Sequence, residues 1–291
     1  MAAGVEPPLF SYHPARLFAK PGHILVYAIL IAGAVVMLLP FFWMASTACK
    51  PPAETNRVPI KWLPDNPACR ENVDLLYEQS PQFNRYLRNS ALVTLGRTFG
   101  QFVTCSLAAY GFARFRFPGR NIIFALCLAL LMVPFQAIMI PEYILIRDLG
   151  WLNSFRALII PGTFSAFALF LLRQAFMQIP LELEEAATID GANPLQVLWH
   201  VTLPLSVPAL AAFGVITVQA AWNDFLYPLV VANSQNTRVV TIGIALLQGE
   251  RRTPWNLLMM GSLVATLPMM LMFLLLQRYF IEGIAMTGVK R

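Results

Sequence analysis

Charge is scarce in this chain. Asp, Glu, Lys and Arg make up only 12% of its 291 residues, against about 25% in ordinary soluble domains. A chain so poor in charge and 57% hydrophobic cannot hide its apolar surface in one water-soluble core. With a mean hydropathy of +0.60, it needs lipid as its solvent. Lysine is rarer still: Lys20, Lys50, Lys61 and Lys290 are the only four, and none follows a glycine. That removes the Gly-Lys-Ser/Thr phosphate loop and leaves the chain without such an ATP site. The three histidines, His13, His23 and His200, are scattered. No metal-ligand spacing is present, which argues against zinc chemistry. No basic helix interleaved with aromatics stands in a polar context. The net charge of +6 therefore reads as topology signals and lipid-headgroup contacts, not as a nucleic-acid surface.

What fills the chain is apolar runs. Six are long enough to cross a bilayer at about 20 residues per crossing: 24–46, 89–112, 122–140, 157–177, 205–231 and 257–281. They predict an all-α membrane protein with one transmembrane domain, 1–291, and no separate soluble domain. Prolines interrupt several runs (Pro40, Pro134, Pro161, Pro208, Pro228 and Pro268), which bundled transmembrane helices tolerate. More than twenty residues precede the first run, it is long, and no small-residue cleavage site follows. It reads as a retained helix and not as a signal peptide. The distribution of basic residues is a weak guide to sidedness; only the loop 113–121, with Arg114, Arg116 and Arg120 and no acid, votes clearly for the cytoplasm.

The loop 47–88 is rich in Pro, Asn and charge and is expected to lie against the outer helix ends. Cys49 and Cys69 both fall within it, where two readings stand: a disulfide in an oxidising envelope, or two free thiols. Cys105 and Cys127 lie within spans and read as small apolar residues. Gly96 and Gly100 form a small-xxx-small pair that permits close helix packing.

Between the fourth and fifth runs lies Pro180-Leu-Glu-Leu-Glu-Glu185-Ala186-Ala187-Thr-Ile-Asp190-Gly191, continuing to Val201-Thr-Leu203-Pro204. The composition predicts a short helix over 181–189. Glu182, Glu184 and Glu185 sit in its first turns, where the positive helix end favours them, and Asp190-Gly191 stops it. Ala186 and Ala187 are small enough for another surface to approach. The segment resembles the "EAA loop" of ABC-importer inner-membrane permeases: Glu-Ala-Ala, three residues, Gly, nine residues, then Ile-x-Leu-Pro, with Val201 here in place of Ile. The resemblance is closest to the carbohydrate-uptake (MalG-type) group. Asn89-Ser90, Phe115-Arg116-Phe117-Pro118-Gly119-Arg120, Trp222-Asn223-Asp224-Phe225 and the ending Gln277-Arg278-Tyr279-Phe280, Gly283 and Gly288-Val289-Lys290 also fit it.

That resemblance implies a type I ABC-importer permease fold of six transmembrane helices, with a cytoplasmic coupling helix between helices 4 and 5. Both termini would face the cytoplasm, in a multi-pass protein of the cell inner (plasma) membrane. It implies a second homologous permease subunit, two cytoplasmic ATPase subunits holding ATP and Mg, and an external solute-binding protein. This chain would hold no cofactor and would not be an enzyme. The coupling residues would be Glu185, Ala186, Ala187, Asp190, Gly191, Leu203 and Pro204, and the tail Ile284–Arg291 would reach between the ATPases.

For the solute route, ionisable groups inside a membrane are functional candidates by default. Arg97 lies in the second run; Asp224 lies in the fifth, flanked by Trp222, Asn223 and Tyr227. Amide, carboxylate and aromatic groups together suit a sugar. Two structural alternatives stand beside that reading. Asp224 pairs with a base of the partner subunit or caps a helix broken near Pro228, and Arg97 snorkels outward or pairs with a carboxylate. An ABC permease for glycerol phosphate or another non-sugar solute is the nearest competing reading. An ion-coupled secondary transporter acting alone would need paired mid-membrane charges and inverted repeats, and a membrane enzyme would need clustered His, Asp or Glu; neither pattern is found.

Overall fold

The computed structural model describes residues 21–249 and 253–288, with side chains placed for 24–249, 253–275 and 277. The tail expected to reach between ATPases lies outside the described side chains, as do Arg16, Lys20, Arg278, Lys290 and Arg291. Among the described residues the chain is helical, with no strand.

The first helix, α1 (Pro21–Ala48), is long, apolar and exposed on nearly all sides, packing mainly on the last helix. The segment 49–82, the one expected to lie outside, follows as α2 (Pro52–Thr55) and α3 (Cys69–Gln79). It is built more firmly than its composition suggests. Cys49 and Cys69 are joined in a disulfide, which ties the end of α1 to the start of α3. Buried Asn72 donates its amide to the carbonyls of Ala48 and Lys50, each at 2.8 Å, and accepts from Asn256 at 2.8 Å. The Lys50 ammonium lies 4.1 Å from the Trp43 ring centre and donates to the Lys61 carbonyl at 2.6 Å. Leu76, with Val73 and Tyr77 beside it, also joins the apolar cluster of Phe83, Tyr86 and Leu258, so polar ties and borrowed apolar packing together hold the segment. The peptide before Pro59 is cis.

The central element is α4 (Phe83–Arg114). At 32 residues and 1.5 Å per residue it is about 48 Å long, more than enough for a hydrocarbon core of about 30 Å. Its buried face is nonetheless polar, carrying Asn89, Ser90, Thr94, Arg97 and Ser106. The reason lies in what surrounds it. The remaining helices are α5 (Arg120–Ala129), α6 (Phe135–Asp148), α7 (Phe155–Ile159), α8 (Ala166–Met177), α9 (Leu181–Ile189), α10 (Pro194–Val197), α11 (Leu203–Leu205), α12 (Val207–Trp222), α13 (Leu226–Val231), α14 (Val240–Leu246) and α15 (Trp255–Gly288). Of these, α7, α8, α12 and α14 all pack on α4, so protein covers its polar face, while Leu92, Leu95, Phe99 and Leu107 on the other face stay exposed.

Several expected spans are broken. The run 122–140 is two helices bent by 103°. After a 3-10 turn at Leu130–Met132, Val133 and Pro134 are extended. Proline cannot donate to a helix and pushes its predecessor out of the helical region. The run 157–177 is interrupted at Phe164–Ser165, with a bend of 40° between its halves; the Ser165 hydroxyl caps α8 on the Ala168 N–H at 3.3 Å. The run 205–231 is one helix only to Trp222. Leu205 belongs to the preceding elbow, and Asn223–Phe225 separate α12 from α13. Two helices, Ile24–Ala48 and Trp255–Leu275, are long and apolar enough to cross as they stand. Three bent pairs qualify when each is taken as one crossing, the third being Pro194–Leu205 with Val207–Trp222.

Breaks in a membrane leave backbone carbonyls that water cannot reach, and each must find a partner. α4 supplies them. Arg97 Nε donates to the Leu158 carbonyl, Gln101 to that of Gly162 at 2.8 Å, and the Thr104 hydroxyl to that of Thr163. Residues 97, 101 and 104 lie on one helical face. Gly96 and Gly100 lie beside them, and a Cβ at Gly96 would come within 2.9 Å of the Ile159 side chain. The small-xxx-small pair therefore lets α7 and its following turn come close enough for these bonds. On the N-terminal half of α4, Asn89 donates to the carbonyls of Asn236 and Arg238, and Ser90 Oγ accepts the Val240 N–H that opens α14. The polarity of α4 is the complement of its neighbours' interruptions.

Candidate functional site

The elbow between α8 and α12 carries the Glu-Ala-Ala…Gly spacing, and its geometry explains that spacing. α9 ends in a Schellman turn: Ala192 N–H reaches the Ala187 carbonyl and Gly191 N–H reaches that of Thr188, both at 3.0 Å. Gly191 stands at φ +90°, a conformation that only glycine adopts cheaply. Four residues from Ala187 to Gly191 is the distance this turn requires. Asn193 and Gln196 then form a reciprocal capping box, side chain to backbone in both directions at 2.8 and 3.0 Å. Stop and start follow directly, so the joint between α9 and α10 has little freedom.

α9 has two faces. Leu181, Leu183, Glu185, Ala186, Ile189 and Asp190 are exposed, as are Gly191, Leu195, Trp199 and Pro204 nearby. Ala187 is turned inward. It packs with Ala192 and Val201 against the cluster of Tyr110, Phe176, Val197, Leu198, Leu203 and Phe213. The close approach expected at both alanines therefore divides: Ala186 is open to another surface, whereas Ala187 and Leu203 serve the chain's own core.

Glu184, one turn before Ala187 on that inner face, is buried. Its carboxylate takes Arg114 Nε at 2.9 and 3.0 Å, Arg114 Nη2 at 2.9 Å and the Thr202 hydroxyl at 3.0 Å, while Arg114 Nη2 also donates to the Ile179 carbonyl at 2.9 Å. Thr202 reaches Glu184 from a π-helical turn, Leu198–Thr202; such wide turns are typical where a helix is re-aimed for function. The elbow then meets α12 at 83°. This pair welds the elbow to the end of α4. Sequence reasoning credited Glu184 only with a favourable helix-end position; its three-residue offset from Ala187 was the available signal that it faces inward.

The interior candidates separate into two groups. Arg97, Asp224 and Tyr227 come together. Arg97 Nη1 meets Asp224 Oδ2 at 2.7 Å, its guanidinium lies 5.5 Å from the Tyr227 ring centre, and Tyr227 donates its hydroxyl to the Ala157 carbonyl at 2.8 Å. Asp224 is thus paired within its own chain, and of the two structural readings of Arg97 the geometry is that of pairing with a carboxylate, not of snorkelling outward. Gly162 makes room for the arginine: a Cβ there would lie 2.8 Å from Arg97 Cδ and Nε. These groups line a cavity of about 290 Å³ with Phe135, Ile138, Pro161 and Gly162. They are joined by Glu142 of α6, which sequence reasoning passed over because it follows Pro141 near a span's end. Asn223 and Trp222 lie instead on a larger cavity of about 630 Å³ between α12, α14 and α15. Trp222 is buried and gives its indole N–H to the Ala265 carbonyl at 3.2 Å, so it anchors α12 to α15 while its ring forms wall. Asn223 is exposed, with its amide on the Gln219 carbonyl at 3.0 Å.

Residues 102–285 match the family described as "Binding-protein-dependent transport system inner membrane component". "Probable ABC transporter permease protein YurM" of Bacillus subtilis is 31% identical over 92% of this chain and 89% of its own length. The sn-glycerol-3-phosphate transport system permease protein UgpE of Pectobacterium atrosepticum is 34% identical over 89% of this chain and 94% of its own. The lactose transport system permease protein LacG of Rhizobium radiobacter is 32% identical with the same coverage of each chain. Among solved structures, a bacterial ABC transporter involved in the import of the acidic polysaccharide alginate superposes with a TM-score of 0.79 over 94% of this chain and 100% of that one, at 22% identity, a likeness of fold.

Proposed function

From the premise that the chain belongs to the binding-protein-dependent transport system inner membrane component family, we propose that its solute is a neutral, hydroxyl-rich molecule, a sugar or sugar-like compound. The chain is a permease subunit of an ATP-driven importer, a transport component and not an enzyme, and ATP is hydrolysed on separate subunits. In our reading it crosses the membrane six times with α4 counted, both termini in the cytoplasm, beside a second homologous permease. ATP and Mg sit on two ATPase subunits that seat the exposed face of the elbow around Glu185, Ala186 and Leu183, and closure of those subunits drives the outward opening.

The observation that carries the choice of solute is the charge of the smaller cavity. Arg97 would be the natural phosphate ligand, but its guanidinium is already engaged by Asp224 and the Leu158 carbonyl. Glu142 lines the same cavity and, among the described residues, has no basic partner within 4.0 Å. A phosphate would meet two carboxyl groups against one arginine that is already paired, and a carboxylate repels it in a low-dielectric site. Sugar hydroxyls can donate to both carboxylates, and Tyr227 and Phe135 offer rings. The test is uptake into proteoliposomes by the complete importer, using labelled lactose and maltose against labelled sn-glycerol 3-phosphate. Uptake of neutral sugar, poorly competed by the phosphate ester, is expected; uptake of glycerol phosphate alone overturns the solute assignment. Glu185→Lys is expected to abolish uptake with membrane abundance unchanged, and uptake at the normal rate would remove the coupling role.

A further inference from the structure

A third cavity lies on the loop that joins α4 to α5. It measures about 360 Å³ and is lined by Arg116, Phe117, Gly119, Arg120, Asn121 and Ile122. Gly119, at φ +77°, turns the chain back so that Arg116 and Arg120 share one wall. The three arginines of this loop have different fates. Arg114 is consumed by Glu184. Among the described residues, neither Arg116 nor Arg120 has a carboxylate within 4.0 Å. Arg120 makes only long bonds, to the Phe115 carbonyl at 3.3 Å and Asn121 Oδ1 at 3.4 Å. Two uncompensated guanidinium groups on a concave surface call for an anion, and guanidinium matches phosphate oxygens in pairs.

The cavity has an apolar continuation along α5. Ile122 on its wall begins an exposed stripe that continues through Leu126 to Leu130, successive turns of one face of α5 and its following turn. The loop's level is set by Arg114, which joins it to the elbow beside α9. A phosphate seat that opens onto an apolar track, at the membrane boundary, has the shape of a phospholipid. We propose that this cavity retains an anionic phospholipid, its headgroup phosphate on Arg116 and Arg120 and an acyl chain along Ile122, Leu126 and Leu130. Basic pockets beside transmembrane helices commonly hold such headgroups. Only the choice of leaflet rests on the orientation proposed above; retention itself does not depend on it. A lipid here would brace the end of α4 to which Glu184 and the elbow are attached.

The test uses the complete importer purified in detergent, re-lipidated with phosphatidylglycerol or phosphatidylcholine, and weighed by native mass spectrometry as detergent strips the lipid away. Phosphatidylglycerol is expected to outlast phosphatidylcholine. Arg116→Gln with Arg120→Gln is expected to weaken phosphatidylglycerol retention by roughly thirtyfold, while the matching Lys pair keeps most of it. Should the double variant fail to assemble, Arg116→Gln alone, at an exposed side chain with no hydrogen bond among the described residues, is expected to lose roughly fivefold. Arg57→Gln on the outer segment is the control and should change nothing. Equal retention of the two lipids, or no loss in the Gln variants, overturns the proposal. So does displacement of the lipid by excess inorganic phosphate, which would make a soluble anion the occupant. Loss of the ATPase subunits in the Gln variants with lipid retention intact would assign the arginines to a protein partner and overturn it equally.

Discussion

Two arginine–carboxylate pairs sit on α4, 17 residues apart, and they differ in how completely they are enclosed. In Arg114–Glu184 the side chains are 9% and 8% exposed, and the Thr202 hydroxyl and the Ile179 carbonyl complete the shell. In Arg97–Asp224 the values are 10% and 22%, and the carboxylate opens onto a cavity that holds a second carboxylate. The first pair is a fixed joint. The second is positioned like a joint but left accessible, and accessibility is what a solute or a change of partner requires. The exposed Lys61–Asp65 pair of the outer segment, at 49% and 41%, completes a graded series.

The series can be broken at its closed end with the largest effect. Glu184→Ala should leave Arg114 buried without its partner and destabilise the elbow by about 3–5 kcal/mol; pull-down of the ATPases and uptake should both fail. If ATPase binding survives Glu184→Ala, the joint is not what holds the elbow. At the half-open pair, Asp224→Asn should weaken one charged contact by about 1–3 kcal/mol and lower uptake by roughly tenfold or more, with a much smaller loss of membrane abundance. Parallel losses would make this pair as structural as the first. Gly191→Ala strains the turn that aims the exposed face of α9, by about 1–2 kcal/mol, and is expected to reduce coupled uptake partially and more than it reduces the amount of protein in the membrane.

The smallest effect belongs to the exposed pair. A hydrogen bond from the Lys61 ammonium holds the Asp65 carboxyl below the usual carboxylate range, opposed by slight burial and helped by the charges of Lys61 and Arg57. A depressed folded-state value means that the contribution is present above the ordinary pKa of about 3.9 and is lost as pH falls through the lower one. Protease nicking of the outer segment should therefore rise only slightly on acidification below about pH 4, and Asp65→Asn should remove that component. A sharp rise near neutral pH would contradict the assignment.

The elbow was legible because caps and turns are local. The helix read over 181–189 is α9, and the stop at Asp190-Gly191 lies where a left-handed glycine is needed. What escaped sequence reasoning was tertiary. Glu184 finds Arg114 across 70 residues and Arg97 finds Asp224 across 127; charge and periodicity nominate such residues but do not pair them. Pro134 marked an interruption in its run, yet neither the sharpness of the bend at Val133–Pro134 nor the break at Phe164–Ser165 was legible, because hydrophobicity averages over a break. Trp222 was grouped with its neighbours for its chemistry, whereas its indole N–H had an employer in the Ala265 carbonyl.

The enclosure of α4 has a consequence for how the chain is made. An arginine at the centre of a lone helix opposes insertion by about 2.5–3.5 kcal/mol, and α4 reaches the membrane before the residues that complement it. Asp224 is synthesised 127 residues after Arg97, a delay of about 6–25 seconds at ordinary translation rates. α7, α8 and α12 emerge within that interval and α14 after it, but α4 has no counter-charge until Asp224 is made. Until Asp224 emerges, the charge of Arg97 must be met by what has already been made, first the Leu158 carbonyl and then the packing of α8 and α12.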